Sequence, residues 1–403
     1  MADRITLEQE QAEELVKKYG SPLYVYDEGI IRTRCREVRA LSSYPGFTPN
    51  YSAKANTNIE LLKIIKSEGF RVDAMSPGEI LAEEAAGFGP EEILFISNSV
   101  SVEEMQFAAD RGIMISVDSL SQLGQYGRAG LPKKTAFRLN PGIGAGHSAK
   151  VITGGRSKFG IEKKQLDGVQ EIAARYGLVI AGINQHIGSL FLNSDEYLAA
   201  AEVLFETAFE FSALEFIDIG GGFGVPYRGT EGRLDMGALS QKLSQKIDDF
   251  TARHPNKNIR VMVEPGRYLV AESGILLGTV HSVKENYGET YVGTDIGFNV
   301  LMRPVLYDSW HDILIFTTNQ KTQKLTITGN ICESGDILAR DRDLPLPAVG
   351  DIIGIENAGA YGYSMASTYN SRPRPAEVLL SPDGQDRLIR RRESLASLSG
   401  GMC

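Results

Sequence analysis

The feature that most constrains the fold is a series of eight apolar runs that alternate with helical patterns over the first 270 residues. Amphipathic stretches such as NIELLKIIKSEG and SVEEMQFAADRG separate the runs, and many begin near Ser, Asn or Pro and end at Gly, as helix caps require. Eight strands alternating with helices over about 250 residues are typical of a (β/α)8 TIM-type barrel. An open doubly wound sheet is the alternative. The runs cover residues 48–55, 71–75, 92–97, 113–119, 135–141, 178–189, 214–222 and 259–266.

The pattern changes after about residue 270. The runs at 275–286, 289–297, 312–318, 324–332 and 351–359 are short, alternating or β-branched, and they are separated by polar turns. This pattern is typical of an all-β domain. We therefore predict an α/β barrel domain over 28–270 and a C-terminal β domain over 271–392. The N-terminal segment 1–27, with SPLYVYDEG as a further strand, joins the β domain, and the polar tail 393–403 frays.

Composition excludes several classes of partner. The 403 residues include 51 acidic and 42 basic side chains, a net charge of −9, which argues against a nucleic-acid surface or an anionic membrane. Three widely spaced cysteines form neither a disulfide framework nor a zinc site. The N-terminus lacks an apolar signal region, and no apolar run approaches the ~20 residues that span a bilayer. We expect a cytoplasmic protein without a metal centre.

Polar residues lie where the predicted barrel strands end, which is where barrel enzymes build their sites. Taken singly, each has a structural explanation: a strand lysine usually extends its amine to solvent, a histidine is commonly a core residue, a glycine triplet is usually a turn, and Glu264 could pair with Arg267. Their convergence on one mouth of the barrel favours a site. The residues are Lys54, Asp73, Arg138, Asn140, His186, Gly188, Ser189, Gly220–Gly222, Glu264, Gly266 and Arg267.

These residue types match the needs of one cofactor. A glycine-rich turn presents backbone N–H groups to a phosphate, and a partly desolvated lysine forms a Schiff base. An acid can hold a proton on a pyridine nitrogen, and an imidazole can lie against a ring. Together these features indicate pyridoxal 5'-phosphate. A sugar-phosphate aldolase also needs a lysine and a phosphate site, but it does not need the polar set in the last third of the chain.

Longer motifs carry a resemblance over nearly the whole chain. YSAKAN, HSAKVITGGRSKFGI, HIGS, GGGFG and EPGR lie in the predicted barrel. RPVLYDSWHDI, CESGDILARDRDLP and AGAYGYSMASTYNSRPRPAEVL lie in the predicted β domain. With these motifs the chain resembles the fold-type III pyridoxal-phosphate-dependent decarboxylases, whose barrel and β domain have an alanine racemase-like arrangement.

The resemblance implies a role for each matching residue. Lys54 would carry the cofactor and handle protons, His186 would stack on its ring, Glu264 would face the pyridine nitrogen, and Cys332 would be a catalytic acid. The set implied to hold the cofactor also includes Asp73, Ser189, Gly221, Gly222, Gly266, Arg267 and Tyr361. The set implied to bind substrate comprises Arg267, Arg303, Tyr307, Glu333 and Tyr361.

The resemblance also implies partners and a substrate. Cys332 and Glu333 would reach the site of a partner subunit, giving a homodimer with shared active sites. The implied substrate is meso-diaminopimelate, converted to L-lysine. Gln185, Leu190, Val300 and the DAMSPGE run depart from the family pattern near the expected site, so ornithine, carboxynorspermidine or an amino acid on a carrier protein of a siderophore or antibiotic pathway stays an alternative.

Two other classes of protein share the cofactor. An amino-acid racemase on the same fold would need a second acid/base facing Lys54 and would lack the CESGD segment. A non-catalytic pyridoxal-phosphate carrier would resemble a single smaller barrel without a β domain. Release of carbon dioxide from candidate amino acids distinguishes a decarboxylase from both.

Overall fold

The computed structural model describes residues 4–146 and 149–400. These residues divide into two compact units. The first, the barrel unit, comprises Thr33–Val225 and Gly232–Tyr268. The second, the β-rich unit, comprises the chain up to Arg32, the short segment Pro226–Glu231 and the chain from Leu269 onward.

The barrel unit contains a closed barrel of eight parallel strands, which confirms the predicted fold class. The strands pair in the order β5-β4-β3-β2-β10-β9-β8-β6, and β5 pairs with β6 to close the ring, while β7 adds a short edge to β6. The strands are β2 (Phe47–Ser52), β3 (Arg71–Ala74), β4 (Ile93–Ile96), β5 (Met114–Val117), β6 (Lys134–Asn140), β7 (Ile161–Glu162), β8 (Val179–Gln185), β9 (Phe216–Asp218) and β10 (Arg260–Val263).

Helices between these strands begin at the caps that the sequence supplies. The side chains of Asn58, Ser76, Ser101, Ser119 and Asp235 accept backbone N–H groups of the first helical turns. The helices are α2 (Glu28–Arg39), α3 (Ile59–Ser67), α4 (Pro77–Ala85), α5 (Val102–Ala109), α6 (Leu120–Arg128), α7 (Leu166–Tyr176), α8 (Asp195–Ala208) and α9 (Met236–Arg253).

A small apolar cluster within the barrel determines where polar groups can lie. Leu94, Ile96, Ala136, Phe216 and Met262 pack together. Side chains two residues apart on a strand share a face. The acids that follow Phe216 and Met262 by two residues therefore project from the same face, nearer the carboxyl ends of the strands.

The β-rich unit is built around a second sheet. Strand β1 pairs antiparallel with β11 and parallel with β17, so SPLYVYDEG does contribute a strand here. The strands are β1 (Leu23–Asp27), β11 (Gly274–Asn286), β12 (Glu289–Thr294), β13 (Ile313–Phe316), β14 (Thr322–Thr328), β15 (Ile337–Pro345), β16 (Ile352–Ile355), β17 (Ala376–Leu380) and β18 (Asp386–Arg390). The remaining helices are α1 (Gln9–Tyr19), α10 (Arg267–Val270), α11 (Arg303–Tyr307) and α12 (Leu395–Ser399).

The polar tail begins with an ion pair and a short helix. Glu393 pairs with Arg374, and Ser394 caps α12, since its side chain accepts the Ser397 N–H. That the tail frays stays a prediction. Residues 401–403 lie outside the described residues, as do His147 and Ser148 of the HSAKV motif. In the described part of the chain, no helix is both long and apolar enough to cross a bilayer.

Candidate active site

Lys54 lies just after the first barrel strand, in a 3₁₀ turn. Strand β2 ends at Ser52 and the turn covers Ala53–Ala55, so the prediction that the strand continues to Ala55 is wrong. The cause is Asp73 at the end of β3, whose carboxylate accepts the Ala53 N–H at 3.2 Å and the Ser52 hydroxyl at 3.1 Å. These bonds turn the chain and leave Lys54 half-buried at the strand ends.

Several buried acids surround Lys54. Burial, and then the charge of Glu264, raises the pKa of Asp73 well above its usual range, while Lys54 acts in the opposite direction. Burial also raises the pKa of Glu79, whose carboxylate accepts the Met75 N–H at 2.7 Å and also interacts with Lys54. A cationic amine among acids that are costly to ionise makes this end of the barrel a pKa-perturbed site, as catalytic centres commonly are.

The glycine triplet after β9 packs its backbone so closely that only glycine fits. A Cβ on Gly221 would lie 1.8 Å from the Glu264 carbonyl oxygen, and one on Gly222 would lie 2.4 Å from that of Gly188. Gly220 and Gly222 also have φ angles of 81° and 106°, in the left-handed region that favours glycine. The turn thus brings backbone N–H groups to the strand ends without side chains in the way.

His186 is held as a neutral imidazole. Its Nδ1 accepts the Gly221 N–H at 3.3 Å, so Nδ1 carries no hydrogen and Nε2 does. Burial, followed by the charges of Lys54 and Arg138, lowers the pKa of the ring well below its usual range. An uncharged flat ring beside the glycine turn is suited to stacking on another ring.

Glu264 follows β10 and contacts a second buried acid, Asp218 of β9. The Asp218 carboxylate accepts the Gly220 N–H at 2.9 Å. Burial raises the pKa of Asp218 to about 7. Burial, and then Asp218, raises the pKa of Glu264 well above its usual range. Within the described residues, Glu264 Oε1 is buried without a hydrogen-bond partner. A donor on a bound ligand can satisfy such an atom.

Arg267, Ser189 and Gly266 complete the barrel set. The Arg267 guanidinium donates to the Ser189 hydroxyl from Nη2 at 3.1 Å and from Nε at 3.4 Å. A Cβ on Gly266 would lie 3.1 Å from both Ser52 and Ala55, so the backbone there packs against the Lys54 turn. Gly266 therefore lies beside the Lys54 turn, whereas the predicted residue Asn140 donates its side-chain amide to the Gly155 and Phe159 carbonyl oxygens of the following loop.

The β-rich unit contains the other predicted residues. Arg303 begins α11 and is only 1% exposed, and the half-exposed Tyr307 ends that helix. Cys332 and Glu333 are exposed; the Cys332 N–H donates to the Asn370 side chain at 2.8 Å, and Glu333 accepts the Tyr369 hydroxyl at 2.5 Å. Tyr361 is half-buried at a φ of 56°, an uncommon conformation for a non-glycine residue.

The geometry of the barrel site fits pyridoxal phosphate. The glycine turn keeps the strand ends clear of side chains, the buried Glu264 Oε1 suits a ring N–H donor, and neutral His186 suits an aromatic face. In the described residues, no cluster of His, Cys, Asp or Glu is arranged to hold a metal ion. Fold and site together define a pyridoxal-phosphate enzyme built on a barrel.

Comparison with known proteins gives the family. The family model described as "pyridoxal-dependent decarboxylase, pyridoxal binding domain" matches residues 29–271. Diaminopimelate decarboxylase of Methanothermobacter thermautotrophicus is 42% identical over 97% of this chain and 93% of its own length. The chain belongs to the pyridoxal-dependent decarboxylase family.

Solved structures agree with this assignment. A crystal structure of a diaminopimelate decarboxylase is 34% identical with a TM-score of 0.89, covering 99% of this chain and 98% of that one. The Helicobacter pylori diaminopimelate decarboxylase complexed with L-lysine is 31% identical with a TM-score of 0.87, covering 96% and 98%. The family and cofactor predictions are confirmed.

Sequence reasoning missed several residues that contact the predicted site residues. Asp218 lies two residues before the glycine triplet, and an acid in an otherwise apolar strand was the available signal. Glu79 and His311 had no comparable signal, because each becomes significant only through a contact with a residue that the fold brings near.

Proposed function

We propose that this chain decarboxylates meso-diaminopimelate to L-lysine. Full-length similarity to diaminopimelate decarboxylases, at up to 42% identity, carries the proposal. The buried Arg303 and exposed Glu333 of the β-rich unit offer a cation and an anion suited to a zwitterionic substrate terminus. A substrate without a distal carboxylate forgoes the charge-assisted contact that the Arg303 guanidinium can offer.

In this proposal the barrel residues hold the cofactor. Lys54 would be its covalent attachment point and would handle protons. When bound, pyridoxal phosphate supplies a protonated pyridine ring that accepts the electron pair released as carbon dioxide leaves. Glu264 would keep the proton on the ring nitrogen, and His186 would stack on one face of the ring. Asp73, Ser189, Gly221, Gly222, Gly266, Arg267 and Tyr361 complete the cofactor contacts.

The remaining roles concern the substrate and a second subunit. Arg267, Arg303, Tyr307, Glu333 and Tyr361 bind the substrate, and Cys332 or Lys54 returns a proton to the carbon that has lost carbon dioxide. We infer a homodimer in which Cys332 and Glu333 serve the partner's site. Their exposure and the resemblance of the CESGD segment support this inference. A carrier protein as a further partner stays a prediction.

A substrate panel tests the proposal. Carbon dioxide release is measured from meso-diaminopimelate, lysine, ornithine, arginine, glutamate and carboxynorspermidine, and diaminopimelate should be by far the best substrate. Arg303→Ala should reduce diaminopimelate turnover far more than lysine turnover. If the enzyme decarboxylates ornithine or a carrier-bound amino acid but not diaminopimelate, the proposed substrate is wrong and the proposed reaction type still holds.

A further inference from the structure

Arg303 is the largest fully buried side chain of the described residues, and defined contacts hold its guanidinium. Its Nε donates to His311 Nε2 at 3.4 Å, and its Nη2 donates to the Ser309 hydroxyl at 3.1 Å. The guanidinium carbon also lies 4.8 Å from the centre of the Tyr227 ring. Nε and Nη2 point to one edge of the planar guanidinium, so His311 and Ser309 fix the direction of its other edge.

Hydrogen bonding fixes the tautomer of His311. Arginine only donates, so His311 Nε2 must accept and cannot carry a hydrogen. His311 Nδ1 lies 2.8 Å from the Glu356 carbonyl oxygen, which only accepts, so Nδ1 carries the hydrogen. His311 therefore connects the Glu356 backbone to Arg303 as a neutral ring with one donor and one acceptor.

Other contacts prevent His311 from turning away. Its ring packs edge-on against Tyr227 with centroids 5.0 Å apart and planes at 83°. Its backbone carbonyl accepts from Arg342 Nη2 at 3.0 Å. Glu356, on the acceptor side, is itself held by Arg4 at 2.8 Å. These contacts hold both the ring and the backbone of His311 in place.

We propose that His311 is a positioning residue that sets the direction of the Arg303 guanidinium and thereby determines selectivity for substrates with a distal carboxylate. The inference rests on the proposed function, in which Arg303 receives that carboxylate. A bidentate arginine–carboxylate contact needs a fixed plane, and a side chain that supports such a group through a hydrogen bond determines its precision. His311 need not touch the substrate to do this.

Two substitutions test the hydrogen bonds of the two His311 ring nitrogens separately. The amide of His311→Gln reaches the position of Nε2 and can accept from Arg303, but it gives up the bond to Glu356. The shorter amide of His311→Asn reaches the position of Nδ1 and can donate to Glu356, but it gives up the bond to Arg303. His281→Asn is a matched control, because His281 is an exposed histidine on β11.

Each variant is measured for kcat and KM with diaminopimelate, and for binding of pimelate, a dicarboxylate with the same carbon chain, by calorimetry. We expect His311→Asn to weaken pimelate binding and to raise KM about 10- to 100-fold with little change in kcat. His311→Gln should stay within about threefold of wild type, and His281→Asn should match wild type. Arg303→Lys sets the scale for loss of the carboxylate contact.

The alternative outcomes are distinct. Wild-type values for His311→Asn, with a clear loss in Arg303→Lys, would overturn the positioning role and leave the proposed function standing. Equal losses in His311→Asn and His311→Gln, with a lowered melting temperature, would assign His311 to folding and also overturn it. If the wild-type enzyme does not decarboxylate diaminopimelate, the proposed function fails. Pimelate binding that weakens in His311→Asn but not in His311→Gln would then still support the positioning role. Without that difference in pimelate binding, the positioning role fails as well.

Discussion

The barrel unit and the β-rich unit differ in how they surround their ionisable side chains. The barrel buries Asp73, Asp218 and Glu264, so the pKa of each carboxyl lies above its usual range. The β-rich unit leaves Cys332 and Glu333 exposed and buries Arg303 against His311 and Ser309. A buried acid can stay in its charged form only when a partner compensates that charge. The barrel unit therefore concentrates buried acids with raised pKa values, whereas the β-rich unit combines one buried cation with exposed polar side chains.

Loss of Lys54 should have the largest effect, because no neighbouring group can replace a covalent attachment point. Lys54→Ala should lose activity by about 10³-fold or more and should lose the visible absorbance of bound cofactor. Borohydride treatment of wild type should fix the cofactor to the peptide that contains Lys54. Lys63→Ala is the control, since Lys63 is an exposed lysine paired with Glu60 on α3. Labelling of another lysine would show that the cofactor is attached to that residue and not to Lys54.

Glu264→Gln should have the next largest effect. The amide has nearly the same size, so cofactor binding should persist, but it cannot hold a proton on the ring nitrogen. We expect a rate loss of about 100-fold, or ~2.7 kcal/mol, measured as kcat together with the pH dependence of the cofactor absorbance. Glu215→Gln, at an exposed ion pair with Lys134 in the same unit, should behave as wild type. Unchanged turnover would contradict the role of Glu264.

A third prediction concerns stability and Glu83, a barrel acid that the proposed mechanism does not use. Burial raises its pKa to about 10, and both carboxyl oxygens are buried without a partner in the described residues. The folded protein keeps a proton that the unfolded chain releases above about pH 5, so this acid lowers stability as pH rises from about 5 towards 10.

Glu83→Gln removes this dependence, because the amide is neutral throughout. Urea unfolding of the cofactor-free protein should show similar stabilities near pH 4.5 and a variant more stable by about 2–4 kcal/mol near pH 8.5. Glu84→Gln, at the neighbouring exposed position, is the control. An equal difference at both pH values would show that Glu83 is ionised in the folded protein.

The smallest expected effect comes from a test of whether Cys332 of one subunit serves the Lys54 site of the other. Inactive Lys54→Ala and inactive Cys332→Ala are mixed under conditions of subunit exchange. If sites are shared, half of the dimers are hybrids and one of their two sites is intact, so about a quarter of wild-type activity should return. Exchange is verified with a mass-tagged subunit. No recovery after verified exchange would place Cys332 in its own subunit's site.

The local sequence pattern predicts much of the fold. The eight apolar runs overlap the eight barrel strands, since buried parallel strands are mainly apolar and their helices are capped by nearby polar residues. The predicted runs omit strands β15, β17 and β18; in β15 and β18, DRD and DRLIR place charges within the strand. The domain boundaries 28–270 and 271–392 stay predictions. The observed units assign Pro226–Glu231 to the β-rich unit, although these residues lie within the predicted barrel domain.

The sequence by itself determined the barrel, the cofactor class and the residue types at the strand ends, because periodicity, caps and glycine-rich turns are local properties. Only the tertiary structure decided which atoms meet. It brought Asp218 of β9 to Glu264 after β10, turned the chain at Lys54 through the Asp73 carboxylate, and placed His311 and Tyr227 against Arg303. Burial, pKa and hydrogen-bond direction depend on neighbours distant along the chain, so no local pattern encodes them.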